Sequence, residues 1–296
     1  MRLAGRTPPL PPPLDRVVAT HEQRLGRTLA VWVHDLRRRE TFGLRAEEPF
    51  DPASTIALFV LLELFRQAET GVLALGEEVE LRERDMVDGP GVLKDLTPGL
   101  RLSLRDTATL MITVSDGVAA NLLIRRLGAG SINRGARAAG AVRTRLAGRM
   151  LGRRQGQSFS TVRDLGALLA MMARRTAVSP AASRAMLDIL GRERRDGVVG
   201  RLLPDVDAAG RPLRRAWRVA SMNGSIAGVR NCVALVRGSG LSYVVALMSR
   251  GPRDLPRSSD HEATLCLARV ARAVHDHVAA AGGASQSREA PSARSV

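Results

Sequence analysis

The chain has 296 residues, 45% of them apolar, and its 45 basic side chains outnumber 29 acidic ones to leave a net charge of +16. That apolar content over that length supports one large buried core or two modest ones and excludes disorder for most of the chain. All basic residues except Lys94 are arginine, and guanidinium stays protonated near neutral pH, so lysine Schiff bases, phosphate-loop lysines and lysine general bases are excluded everywhere else.

Residues 1–13 form a proline-rich arm that is expected to be disordered and holds no apolar stretch of signal-peptide length. No later stretch is apolar enough to span a bilayer, so the chain as written is expected to be cytoplasmic unless a misassigned start codon hides a leader. Residues 14–25 pattern as a helix, and 28–35 with 40–44 as two strands of a meander. Residues 54–68 are apolar nearly all round, the mark of a helix buried in the middle of a protein, whose first turn is a rigid platform. Helices follow at 104–114 and 118–127, parted by Ser115-Asp116-Gly117, and at 161–174 and 180–190. The pattern then changes to strands at 218–223, 229–236 and 242–248 with glycine-bearing turns between them. A long helix over 260–281 closes the chain, and 282–296 lacks apolar periodicity and is expected to be a disordered tail.

This order implies an α+β (α/β) fold: an antiparallel sheet built from both ends of the chain, flanked by N- and C-terminal helices, with an all-helical lobe inserted. The expected domain is 14–281, with a sheet lobe of 14–50 and 215–281 and a helical lobe of 51–214. A site is expected where the lobes meet. Cys232 and Cys266 stand far apart, and no Cys/His cluster has metal-ligand spacing, so neither a disulfide framework nor a metal site is expected, and no cofactor is implied. Aromatic residues are 3% of the chain, too few for the stacking platforms of single-strand binders, which counts against a nucleic-acid partner.

Three short stretches fall at the expected junction: Ser54-Thr55-Ile56-Ala57, Ser115-Asp116-Gly117 and Met222-Asn223-Gly224. In order and context they resemble the class A β-lactamase and penicillin-binding protein family of serine acyl-transfer enzymes, whose signature is S-x-x-K, S-D-N and K-T-G. The resemblance runs from about 28 to 281 and includes the framing runs 61–75, 99–128 and 224–230. It implies a β-lactamase/transpeptidase-like fold, a β-lactam or other small acyl ligand, and Ser54 and Ser115 as the catalytic pair. Ser54 would attack the acyl carbonyl, and Ser115 would pass a proton toward the leaving nitrogen. It further implies substrate contacts from Asn223, Gly224 and Ser225, with the main-chain amides of Ser54 and Ser225 as the oxyanion hole.

Each motif departs from the pattern. Ala57 stands where the family has the lysine that helps accept the serine proton, one helical turn from Ser54 on the same face. Gly117 replaces an asparagine that contacts the substrate, and Met222 replaces a cation that helps grip the substrate carboxylate. Arg230 or Arg218 on the strands would be a substitute cation. Class A enzymes also use a glutamate after the second motif to activate the hydrolytic water, yet no acid occurs between Gly117 and Arg163, and the first to follow is Asp164. The expectation is a serine hydrolase by descent with weak or lost turnover, or an inactive relative that binds a β-lactam, peptidoglycan-like or other acyl ligand, or a protein partner. Ser54 read without the resemblance is a helix N-cap, and Asp116 caps the next helix equally well. The acid-free segment carries ten arginines and suggests an anionic ligand or partner nearby.

Overall fold

The structure, a computed structural model, describes residues 6–151, 157–193, 197–204, 217–238, 240–252 and 261–286. Helix α1 (Pro12–Leu25) starts on prolines, whose missing N–H costs nothing in a first turn, and ends at Gly26 in the left-handed region at φ 57°. Strand β1 (Thr28–Asp35) is buried along nearly its whole length and pairs with β2 (Thr41–Leu44). A 3₁₀ turn (Ala53–Ile56) runs into α2 (Ala57–Glu69), which is buried on almost every side, as its composition requires. A small ribbon of β3 (Glu78–Glu80) and β4 (Arg101–Ser103) leads to α3 (Leu104–Thr113), α4 (Gly117–Leu127) and α5 (Ala129–Ala138). Helices α6 (Val162–Ala173) and α7 (Pro180–Leu190) follow, each with a Thr or Ser at its N-cap. Strands β5 (Arg218–Ile226), β6 (Val229–Gly238) and β7 (Leu241–Arg250) and helix α8 (Glu262–Gln286) complete the chain.

The five-stranded antiparallel sheet runs β2-β1-β7-β6-β5, so both ends of the chain build it and β5 is an edge strand. Alternate residues of β1 feed two cores: Leu29, Val31 and Val33 meet the face covered by α1 and α8, while Ala30 and Trp32 meet the opposite core. Gly166 of α6 lies on the Trp32 ring, where a Cβ would collide with the ring carbons. A glycine is what lets that helix approach the sheet so closely.

Several expectations are corrected. The arm is ordered from Arg6: Pro8 accepts the Gly43 N–H at 2.8 Å, Thr7 bonds Glu47 and Leu10 is buried. Helix α6, assigned to the inserted lobe, packs on the sheet against β1, β6 and β7. Helix α5 was not expected, because its Gly, Asn and Arg content hides the short apolar face of Ile132 and Ala136. Helix α8 reaches Gln286, and residues 287–296 of the expected tail lie outside the described residues. No helix among the described residues is long and apolar enough to cross a membrane.

Candidate active site

The first motif sits on a built turn. Asp51 Oδ1 accepts the Ala53 N–H at 2.9 Å, and Pro52 O accepts both the N–H and the hydroxyl of Thr55, at 3.0 and 2.6 Å. These bonds hold Ala53 in the left-handed region at φ 46°, a conformation costing a non-glycine residue about 1–3 kcal/mol. Ser54 follows it, half-buried, inside the 3₁₀ turn. The cap position belongs to Pro52, so Ser54 has no capping duty to explain its presence. Ala57 is only 1% exposed at the head of α2, so its methyl group stands buried where a proton acceptor would be needed.

Strand β5 closes on this turn at Gly224. A Cβ there would lie 3.0 Å from Ser54 N and 3.1 Å from Pro52 O, main-chain atoms that have no means of rotating aside. The Asn223 N–H points away from β6, since it reaches the Glu193 carboxylate at 3.3 Å. N–H directions repeat every second residue along a strand, so the Ser225 N–H also faces the free edge, beside Ser54. Met222, on the strand face that Gly224 shares, is wholly buried in the core that also holds Val233.

The second motif divides its labour. Ser115 holds φ 53°, is buried, and its Oγ has no hydrogen-bond partner. Asp116 caps α4 through the Ala119 N–H at 2.9 Å and clamps the preceding loop by accepting from Val92 and Leu93 at 2.7 and 2.9 Å. Gly117 faces Leu151, whose Cδ1 would be 2.5 Å from a Cβ at 117. Leu151 thus fills the space beside the lost amide. Asn121 secures that segment through both main-chain groups of Met150, at 2.8 and 2.7 Å.

Ser54 opens into a small pocket of about 40 Å³, with Met150, Leu151, Ile56 and Ile226 among its walls. Asp51 also lines it, and its carboxylate already accepts the Ala53 N–H. Asp164 is elsewhere: in the first turn of α6 it accepts from Arg143 N at 2.9 Å and Thr144 Oγ1 at 2.8 Å, and burial pushes its pKa up. Lys94 is exposed on a 3₁₀ turn.

Arg230 is buried, and its guanidinium donates to Ile226 O and Val229 O, both at 2.8 Å, across the β5–β6 turn. Arg218 lies exposed at the far end of β5, opposite Arg237. Three of the segment's ten arginines meet acids from elsewhere: Arg126 pairs with Glu77 at 2.5 Å, Arg125 with Asp85 at 3.2 Å and Arg163 with Glu47 at 3.6 Å, while Arg134, Arg137, Arg143, Arg145 and Arg149 are exposed. Arg126 also holds the Glu77 carboxyl below its usual pKa.

Sequence reasoning missed Glu193. Its carboxylate accepts from Ser221 Oγ at 2.5 Å and from Asn223 Nδ2 at 2.8 Å, as well as from Asn223 N. No motif marks it, since it follows α7 and lies 30 residues before the asparagine it meets. Among the described residues no cluster of His, Cys, Asp and Glu could hold a metal ion.

A serine on a strained turn at the head of a buried helix thus lies beside an edge strand at Gly224, and a second, buried serine stands between α3 and α4. The chain belongs to the β-lactamase enzyme family, whose model matches residues 13–278. The structure of a β-lactamase from Sphaerobacter thermophilus is 27% identical, covering 90% of this chain and 96% of that one with a TM-score of 0.81. PBP-A is 22% identical over 92% of this chain and 98% of its own, with a TM-score of 0.77. An ancestral class A β-lactamase is 22% identical over 89% and 99%, with a TM-score of 0.76. No curated protein sequence matches the chain.

Proposed function

We propose that this chain is a β-lactamase-related serine hydrolase by descent in which Ser54 and the oxyanion frame remain while hydrolytic turnover is reduced to a trace or lost. Acyl transfer forms a bond from Ser54 Oγ to the acyl carbon and breaks the carbon–nitrogen bond. The hydroxyl proton must leave Ser54, and a proton must reach the departing nitrogen. Ser115, with its unpartnered Oγ, is the residue we assign to the second transfer. The observation that carries the reading is the buried methyl of Ala57, one turn from Ser54, where the family has its lysine. A general base is commonly worth about 10²–10⁴-fold, so losing both the acylation and the deacylation base leaves little turnover, and the main-chain oxyanion donors sustain only residual reactivity. A solved complex of a single-residue mutant of PBP-A holds an acyl-enzyme with penicillin G, and this chain shares that fold.

Intact-mass measurement after incubation with a penicillin, a cephalosporin and a fluorophosphonate, with Ser54→Ala as control, tests the reading. A persistent adduct that disappears in the control is expected. Rapid turnover of either β-lactam, or no adduct with any probe, would overturn it.

A further inference from the structure

The donors on the free edge of β5 are already engaged by a carboxylate of the chain itself. Glu193 accepts from the Ser221 hydroxyl, the Asn223 side-chain amide and the Asn223 main-chain N–H. Asn223 occupies the third-motif position at which the family grips the carboxylate of its substrate. Its N–H lies two residues, about 7 Å, along the strand from the Ser225 N–H that faces Ser54. Among the described residues no cation stands at the motif position: Met222 is buried in the core, and Arg230 donates to the turn carbonyls. The charged groups that line the Ser54 pocket are engaged by main-chain groups, Arg149 by Arg84 O and Asp51 by the Ala53 N–H. Beside them Ser115 Oγ, Asn223 Oδ1 and Ser225 Oγ are buried without hydrogen-bond partners, with Met150, Leu151 and Ile226 among the pocket walls. Asn223 Oδ1 accepts only, so it calls for an N–H or O–H donor on the ligand.

We infer that Glu193 is a specificity-determining residue which fills the carboxylate site from within, so that the Ser54 cleft takes a neutral acyl ester or amide instead of an acid-bearing β-lactam. This rests on the reading of Ser54 given above and deepens it. A second carboxylate on β5 would have to displace Glu193 from Ser221 and Asn223 and give up its own water to do so. A neutral ligand reaches the Ser54 and Ser225 amides and leaves Glu193 in place.

The test uses the full chain and two esters of similar length, p-nitrophenyl butyrate and the mono-p-nitrophenyl ester of glutaric acid, with Ser54 acylation followed by intact mass. The parent is expected to react with the neutral ester at least about tenfold faster, after correction for each ester's intrinsic reactivity. Glu193→Ala should raise the ratio of acidic-ester to neutral-ester acylation about tenfold, and added acetate should reverse that gain by refilling the site. Glu193→Gln, which preserves shape, should shift the ratio in the same direction and guards against a folding defect in the alanine variant. Equal rates in the parent, or an unmoved ratio in folded variants whose Ser54 is labelled, would overturn the inference. If neither ester labels Ser54, the nucleophile reading has failed. Calorimetric binding of the matching anilides, butyranilide and glutaric acid monoanilide, then decides the role of Glu193: it stands if the parent binds the neutral one alone and falls otherwise.

Discussion

Gly117→Asn restores the second motif of the family, and the structure says that it destabilises this chain. A Cβ at position 117 would lie 2.5 Å from Leu151 Cδ1, against the 3.5–4.0 Å at which two carbons rest, so an overlap of about 1.0–1.5 Å must be relieved. The same methyl would lie 2.7 Å from a Cβ on Gly89, so it sits between two glycines, and the open side of Leu151 is the pocket beside Ser54 that it lines. The leucine must leave the gap between the two glycines, and overpacking of this kind costs about 1–3 kcal/mol. For a chain of this size the melting temperature should fall by roughly 2–10 °C. Thermal unfolding followed by circular dichroism measures it. Leu151→Ala added to Gly117→Asn should recover most of the loss, since removing the methyl group empties the space the new side chain requires, and the two changes should be strongly non-additive. A melting temperature for Gly117→Asn within about 1 °C of the parent, or no recovery in the double variant, would refute the placement of Leu151 against Gly117.

Other outcomes follow from the same geometry. Ala57→Lys should speed the formation of a Ser54 adduct by at least about tenfold without releasing it, because the pocket still lacks a carboxylate free to activate water; no gain in mass-resolved labelling would mean that the remaining changes already disable the cleft. Asp116→Ala removes a helix cap and two bonds to the 89–95 loop at once, and denaturant unfolding should show a loss of about 2–4 kcal/mol. Buried His34 accepts from Arg174 through Nε2 at 2.6 Å, and desolvation with that arginine lowers its pKa from 6.5 to about 4. The unfolded chain therefore takes up a proton that the native chain refuses. This contribution to stability is complete above pH 6.5 and is lost as pH falls toward 4, by about 1–2 kcal/mol once solvent screening is allowed for. His34→Gln should flatten that part of the stability profile, and an unchanged profile would count against the neutral imidazole.

The amino-acid sequence by itself determined the frame. An all-round apolar run can only be a buried helix, so α2 and the turn that carries Ser54 were legible, as was the order of elements that puts both chain ends into one sheet. Ala57, Gly117 and Met222 were legible as departures because each is a residue type at a fixed offset from its motif. The single lysine and the acid-free stretch after Gly117 already excluded a motif lysine at Ala57 and a carboxylate within that stretch. Tertiary structure alone decided which groups meet. Glu193 reaches Asn223 from 30 residues away, and Arg126 finds Glu77 across 49, pairings that no local pattern encodes. Arg230 looked like a spare cation on a strand and proved to be the brace of a turn, since burial obliges a guanidinium to satisfy its donors on the nearest carbonyls. Leu151 filling the gap at Gly117 was equally invisible, because the room left by a missing side chain is a property of the packed interior, and residue types along the chain do not say which neighbour will take it.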